Sequence, residues 1–210
     1  MKLLSAVALV LSALAPTVAS ATAFSVNFEK NWDFANGEIG NYYNGGTASD
    51  GTTGPNFGVQ FVNVSGLSND ALGPYYSNAP SPLGTAYAFT PFGTTDHAFL
   101  NVASGVSNAL SFYYSSPIAI VGAIQAWSGL GGTGTLLASI DLPANAANYD
   151  FWSLATLRFP GIARSFDLTG TVDAGALLDN IATVPEPGTV LMLLIGATGL
   201  VTLRGRRRNG

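Results

Sequence analysis

His97 is the only histidine in a chain of 210 residues that contains no cysteine. Any imidazole chemistry must run through that one side chain. A Ser-His-Asp triad would have to use it, yet no G-x-S-x-G elbow is present. A zinc site would have one imidazole and no thiolate, a poor ligand set. The plainer reading is a strand-edge residue beside Asp96. Without cysteine, disulfides, thiolate metal sites and cysteine nucleophiles are all excluded. Asp141, Asp150, Asp167 and Asp173 could in principle pair for glycoside hydrolysis, but their spacing singles out no pair. The run Gly129-Leu130-Gly131-Gly132-Thr133-Gly134 matches G-x-G-x-x-G letter for letter. A dinucleotide site also needs a following helix and an acidic residue about 20 positions on. Here Thr135–Leu142 alternates like a strand, so the run reads as a Gly-rich hairpin loop. The expectation is a non-catalytic protein, with a secreted glycan-active enzyme as the alternative.

Two carboxylates sit on terminal strands: Glu29 after Val26-Asn27-Phe28, and Asp179 within Leu178-Asp179-Asn180-Ile181. They are candidate ligands for a structural calcium ion. Calcium takes about six to eight oxygens, so Asn27, Asn180 or backbone carbonyls would have to complete the set. The competing reading pairs Glu29 with Lys30 or solvent and lets Asp179 cap a turn. No contiguous calcium-loop motif is present, which favours that competing reading. The segment Gly37–Pro55, rich in Gly, Asn, Tyr and Thr, reads as a surface loop of the kind that carries binding. Tyr42 and Tyr43 on it are candidate glycan contacts, with Tyr75 and Tyr76 as further exposed-aromatic candidates. The competing reading has these rings capping the core with their hydroxyls in solvent.

Positioning these residues falls to strands. Period-two alternation recurs at Phe24–Phe28, Phe57–Phe61, Ala98–Val102, Leu110–Tyr114, Ile118–Trp127, Thr135–Leu142, Leu154–Phe159, Ile162–Leu168 and Ala176–Ile181. Asn44-Gly45-Gly46 and Asp50-Gly51 punctuate them as turns. No stretch of the body sustains a helical period. About nine or ten half-buried antiparallel strands predict an all-β fold, an antiparallel β-sandwich of jelly-roll type.

Only 10% of the residues are charged and 48% are hydrophobic, with 25 Gly and 11 Pro. That balance suits a β-rich extracellular domain better than a cytosolic helical enzyme. Residues 24–184 hold eleven acids against Lys30, Arg158 and Arg164, a formal charge of −8. So acidic a body cannot neutralise a phosphate backbone, and no nucleic-acid partner is expected.

Both ends read as targeting segments. Lys2, the apolar run Leu3–Leu14 and the small-x-small sites at Ala19-Ser20-Ala21 and Ala21-Thr22-Ala23 predict a cleaved signal peptide over residues 1–23. The sandwich domain then covers 24–184. Residues 185–210 comprise Pro185-Glu186-Pro187, an uncharged apolar run from Gly188 to Leu203, and the basic close Arg204, Arg206, Arg207 and Arg208. At about 1.5 Å per residue, the run predicts a single transmembrane helix of roughly 24 Å, its shortfall covered by snorkelling arginines. Those arginines form a membrane stop that stays cytoplasmic, leaving the body outside the inner membrane.

The order of motif, helix and basic cluster resembles the PEP-CTERM sorting signal of exported bacterial proteins, a tail also called the ice-binding protein C-terminal domain. The resemblance implies processing by an exosortase, a membrane-embedded cysteine transpeptidase, with Pro185, Glu186 and Pro187 as its recognition motif. It further implies transient anchoring in the inner membrane, then residence at the cell surface or in the extracellular polysaccharide matrix. Ice binding itself is not expected, because Thr47, Thr52, Thr53, Thr85 and Thr90 are scattered without a repeat. The body resembles the jelly-roll domains of exported PEP-CTERM proteins and, more loosely, carbohydrate-binding modules. In several such modules the first and last strands lie together and share a structural calcium ion. The implied partners are the exosortase and extracellular polysaccharide.

Overall fold

The computed structural model describes residues 23–91 and 94–184. The expected signal peptide, the Pro185-Glu186-Pro187 motif, the apolar run and the terminal arginines lie outside these residues. Among the described residues no helix is long and apolar enough to cross a membrane.

Nine strands and three single turns of 3-10 helix make up the described chain. The strands are β1 (Ser25–Val26), β2 (Val59–Val62), β3 (Val64–Leu67), β4 (Thr85–Ala88), β5 (Phe99–Ser115), β6 (Ile120–Trp127), β7 (Leu136–Leu142), β8 (Ser153–Asp167) and β9 (Leu177–Thr183). All are antiparallel and belong to one hydrogen-bonded sheet of order β3-β4-β9-β5-β8-β6-β7, with β1 joined to β9 and β2 to β5. The all-β antiparallel expectation is met.

β5 is the spine. Along one edge it pairs with β2 through Phe99–Val102 and with β9 through Leu110–Ser115; β8 runs along the other. The sequence suggested two strands where β5 runs unbroken, and two more where β8 does. The apparent breaks are bulges. Gly105 and Asn108 take φ of 83° and 72°, and Gly161 takes 73°. Register shifts against β8 fall at the two β5 positions. A bulge bends and twists a strand without ending it.

Alternation places one face of these strands inward. Leu100, Leu110, Phe112, Ile124, Phe166, Leu178 and Ile181 are buried and join Phe28 and Phe61 in the main core. Each such side chain contributes about 1.5–3 kcal/mol of burial. Truncating fully buried Phe112 to Ala would cost about 3–5 kcal/mol in lost burial and cavity formation. Leu67, Tyr76, Trp152 and Leu177 form a smaller second cluster.

The ends of the domain meet. β1 pairs with β9 through Ser25↔Ala182 and Val26↔Ile181. Beyond that pairing, Thr183 N donates to Phe24 O at 3.1 Å, and Val184 N donates to Ala109 O at 3.1 Å. The Asn108 amide holds the Val184 carbonyl at 3.3 Å.

Candidate functional site

The outward face of the sheet around His97 carries two orderly rows. Gln125, Asp167 and Phe99 stand opposite one another on β6, β8 and β5. Two residues along, Trp127, Ser165 and Asn101 form the next row. The residues between them (Ala126, Phe166 and Leu100) point into the core and are fully buried. Strict period-two geometry therefore carries six side chains to one face.

The Gly-rich run builds a wall over the second row. It joins β6 to β7 and holds a 3-10 turn at Leu130–Gly132. Gly131 N donates to Asn101 Oδ1 at 2.9 Å, and Gly132 N donates to Ser165 Oγ, also at 2.9 Å. Ser165 Oγ in turn donates to Gly129 O at 2.6 Å. The expected hairpin loop is thus pinned to the sheet. Between this wall and the Thr169–Thr171 turn lies an open cleft of about 570 Å³, lined by His97, Phe99, Val121, Gln125, Trp127 and Asp167 among others.

His97 differs from its sequence reading. Its partner is Asp167, 70 residues away, with Nδ1 3.0 Å from Oδ2. The ring also stacks on Phe99, centroids 5.7 Å apart and planes at 12°. Thr169 Oγ1 lies 3.2 Å from the same Nδ1. That hydroxyl donates to Asp167 Oδ1 at 2.5 Å and accepts from Ala98 N at 3.0 Å. With the hydroxyl proton so committed, the ring supplies the proton at Nδ1. In the neutral imidazole Nε2 is then an acceptor. A hydrolytic triad needs the acid and the nucleophile on opposite ring nitrogens. Asp167 and Thr169 share one nitrogen, so this cluster is not a triad.

Two further polar groups matter. The half-buried Gln125 amide makes no side-chain hydrogen bond among the described residues, and the Trp127 indole N–H is buried without a partner. Neither stood out in the sequence; only the alternation of Ile118–Trp127 hinted at an outward indole.

Glu29 and Asp179 both hold residues 81–83, just beyond the β1–β9 pairing. Asp179 is fully buried. Its Oδ2 accepts from Ser81 N at 2.7 Å and its Oδ1 from Asn180 N at 2.7 Å. Glu29 Oε1 accepts from Leu83 N at 3.1 Å. Ser81 Oγ donates to Asn180 Oδ1 at 2.8 Å. Burial pushes the Asp179 carboxyl up to about 7, and the Glu29 charge adds to that; the Ser81 and Asn180 donors pull the other way. Three of the four carboxylate oxygens are engaged by backbone N–H groups. Among the described residues no three His, Cys, Asp or Glu side chains gather as a metal would need. The pair staples the 81–83 segment through the Ser81 and Leu83 backbone N–H groups.

Tyr43 is packed into the core rather than displayed. Its ring lies edge-on to Phe28 at 5.9 Å and stacks with Phe57 at 6.1 Å. Burial holds its hydroxyl well above the usual tyrosine range. Tyr42 is half-buried against Trp32, centroids 5.4 Å apart. Tyr76 is buried and Tyr75 half-buried. The loop that carries Tyr42 and Tyr43 is tied down by Thr47↔Thr53 and Asn44↔Asn56 bridges and by the Lys30–Asp50 ion pair. The Lys30 ammonium also sits 4.3 Å from the Trp32 ring centre.

No curated protein matches the chain. Among solved structures, the K2 cleaved adhesin domain of Lys-gingipain is similar at 15% identity and TM-score 0.43, covering 80% of this chain and 100% of that one. The K1 domain of the same protein from Porphyromonas gingivalis W83 is similar at 14% identity and TM-score 0.43, over 79% and 99%. A β-1,3-glucan binding CBM6 from Bacillus halodurans is similar at 16% identity and TM-score 0.35, over 60% and 84%. Likeness at this level says nothing of function. Residues 183–208 match the model of the PEP-CTERM protein-sorting motif, and the chain carries that motif at its C-terminal end.

Proposed function

We propose that this is an exported, non-catalytic protein of the cell surface or extracellular matrix, delivered by exosortase processing of its tail and contacting extracellular polysaccharide. The sorting motif at 183–208 is the observation that carries the reading. In it, Pro185-Glu186-Pro187 is the recognition element, Gly188–Leu203 the transient membrane helix and the arginines its cytoplasmic stop. The signal peptide over 1–23 starts export, and the sheet doubles over at the bulges of β5 and β8 as a jelly-roll sandwich.

A non-catalytic role is supported by the cleft lining. Asp167 is the one acidic side chain there, and its oxygens already accept from His97 and Thr169. Glycoside hydrolysis ordinarily uses two carboxyl groups flanking the bond.

The test is fractionation of the producing organism carrying either the natural chain or a variant with Pro185, Glu186 and Pro187 all changed to Ala. The natural chain should reach the surface or matrix fraction while the variant stays with the membrane. Identical distributions would sink the sorting role. The purified full chain in mild detergent should also bind the organism's own exopolysaccharide saturably. No binding would remove the polysaccharide role.

A further inference from the structure

We infer that the cleft between the Gly129–Gly134 loop and the Thr169–Thr171 turn is a binding site for an uncharged sugar chain. This rests on the polysaccharide-contact reading above and gives that contact a place and a ligand class. The polar groups set the class. In the neutral His97 ring Nε2 is an acceptor, since Nδ1–H is committed to Asp167 and Thr169. The unpartnered Gln125 amide offers both donors and an acceptor on the same floor. Sugar hydroxyls donate and accept at once, so neighbouring hydroxyls satisfy both kinds of group.

Two observations exclude other ligand classes. No Lys or Arg lines the cleft and Asp167 stands on its floor, so a carboxylate or phosphate would meet that negative charge with no lysine or arginine to pair with. A purely apolar ligand would leave the Gln125 amide desolvated without partners, which costs about 1–3 kcal/mol. The Trp127 and Phe99 rings supply apolar surface for the faces of sugar rings.

The experiment titrates the purified full chain with a neutral gluco-oligosaccharide and, separately, with a uronate oligosaccharide of equal length. The neutral sugar should bind, and the uronate about 3- to 10-fold more weakly or not at all. Gln125→Ala and His97→Ala should each weaken the neutral sugar by about 3- to 10-fold with Tm unchanged, because the His97 side chain is 55% exposed and Gln125 lies on the outer face. Uronate binding as tight as neutral binding would overturn the ligand class. Neutral binding untouched by both variants would overturn the site and leave the polysaccharide contact standing. Exopolysaccharide binding without any neutral-sugar binding would likewise overturn the class. If exopolysaccharide does not bind either, the broader reading fails with it.

Discussion

Asp179 and Glu29 grip one short segment from both ends: the first accepts from Ser81 N at 2.7 Å, the second from Leu83 N at 3.1 Å. The two carboxylates belong to opposite ends of the chain, and the segment they hold leads into β4. This clasp is therefore what docks the 81–83 connection onto the paired first and last strands.

The clasp should be pH-sensitive in a definite direction. Asp179 titrates at about 7 in the folded protein against 3.8 for the ordinary group, chiefly through burial. Between about pH 4 and pH 7 the native state holds a proton that the unfolded chain has released. Stability from this group is thus greatest at the acid end, falls as pH rises across that window, and levels off above it. Tm measured from about pH 4.5 to 8.5 should fall more steeply in the natural protein than in Asp179→Asn. Equal slopes would show that Asp179 is not the titrating group. Calcium or chelator should leave both profiles in place, because among the described residues no third His, Cys, Asp or Glu side chain joins the pair. A calcium-dependent rise in Tm would establish the metal site instead.

Lys30 should matter for the opposite reason. Its hydrogen bond, followed by that of Thr52, holds the Asp50 carboxyl down at about 2. A depressed carboxyl stabilises above its unfolded pKa, and that contribution disappears as pH falls through about 4 toward 2. Lys30→Met keeps the apolar stem over Trp32 but removes the charge, with an expected loss of about 1 kcal/mol near neutral pH. The stability gap between natural protein and variant should narrow on acidification. A gap that stays constant down to pH of about 2 would mean the loss is one of packing alone.

Gly66→Ala is expected to be among the most damaging of small substitutions. A Cβ at Gly66 would lie 2.1 Å from Trp32 Cδ2. Trp32 cannot simply step aside, since its Nε1 donates to Phe28 O at 2.9 Å and its backbone N to Ser68 Oγ at 2.8 Å. Overpacking of this kind costs about 1–3 kcal/mol. The denaturant midpoint should drop accordingly, and an unchanged midpoint would show that the indole has room to move.

Several strands were readable beforehand: β6 and β7 fall within stretches that alternate, and β2 and β9 overlap them. β3 was not, because Val64-Ser65-Gly66-Leu67 is buried at every position and so leaves no two-residue rhythm. β4, Thr85–Ala88, is buried at three of four positions and fails for the same reason. β5 and β8 each read as two stretches because the alternation lapses around Gly105 and Gly161, where the strands bulge rather than end. The cleft was the least legible part. Its residues come from four stretches of chain, and His97 meets Asp167 only because β5 and β8 are paired in register. Tyr43 settles a choice the sequence left open: a turn-rich loop could display the ring or use it to cap the core, and here the loop folds inward and the ring closes the core.

The pairing of β9 with neighbours on both sides has a mechanical consequence. The proposed sorting motif follows Val184, one residue past β9, so a pull on it, were it held in a membrane, would load that strand first. β5 lies against one edge of β9, with β4 and β1 against the other. Force along the strand axis loads these hydrogen bonds together in shear, whereas a strand at the sheet's rim could be peeled away rung by rung. A domain gripped at the His97 cleft and tugged by its C-terminus would therefore resist as a unit while its anchor strand stays in place.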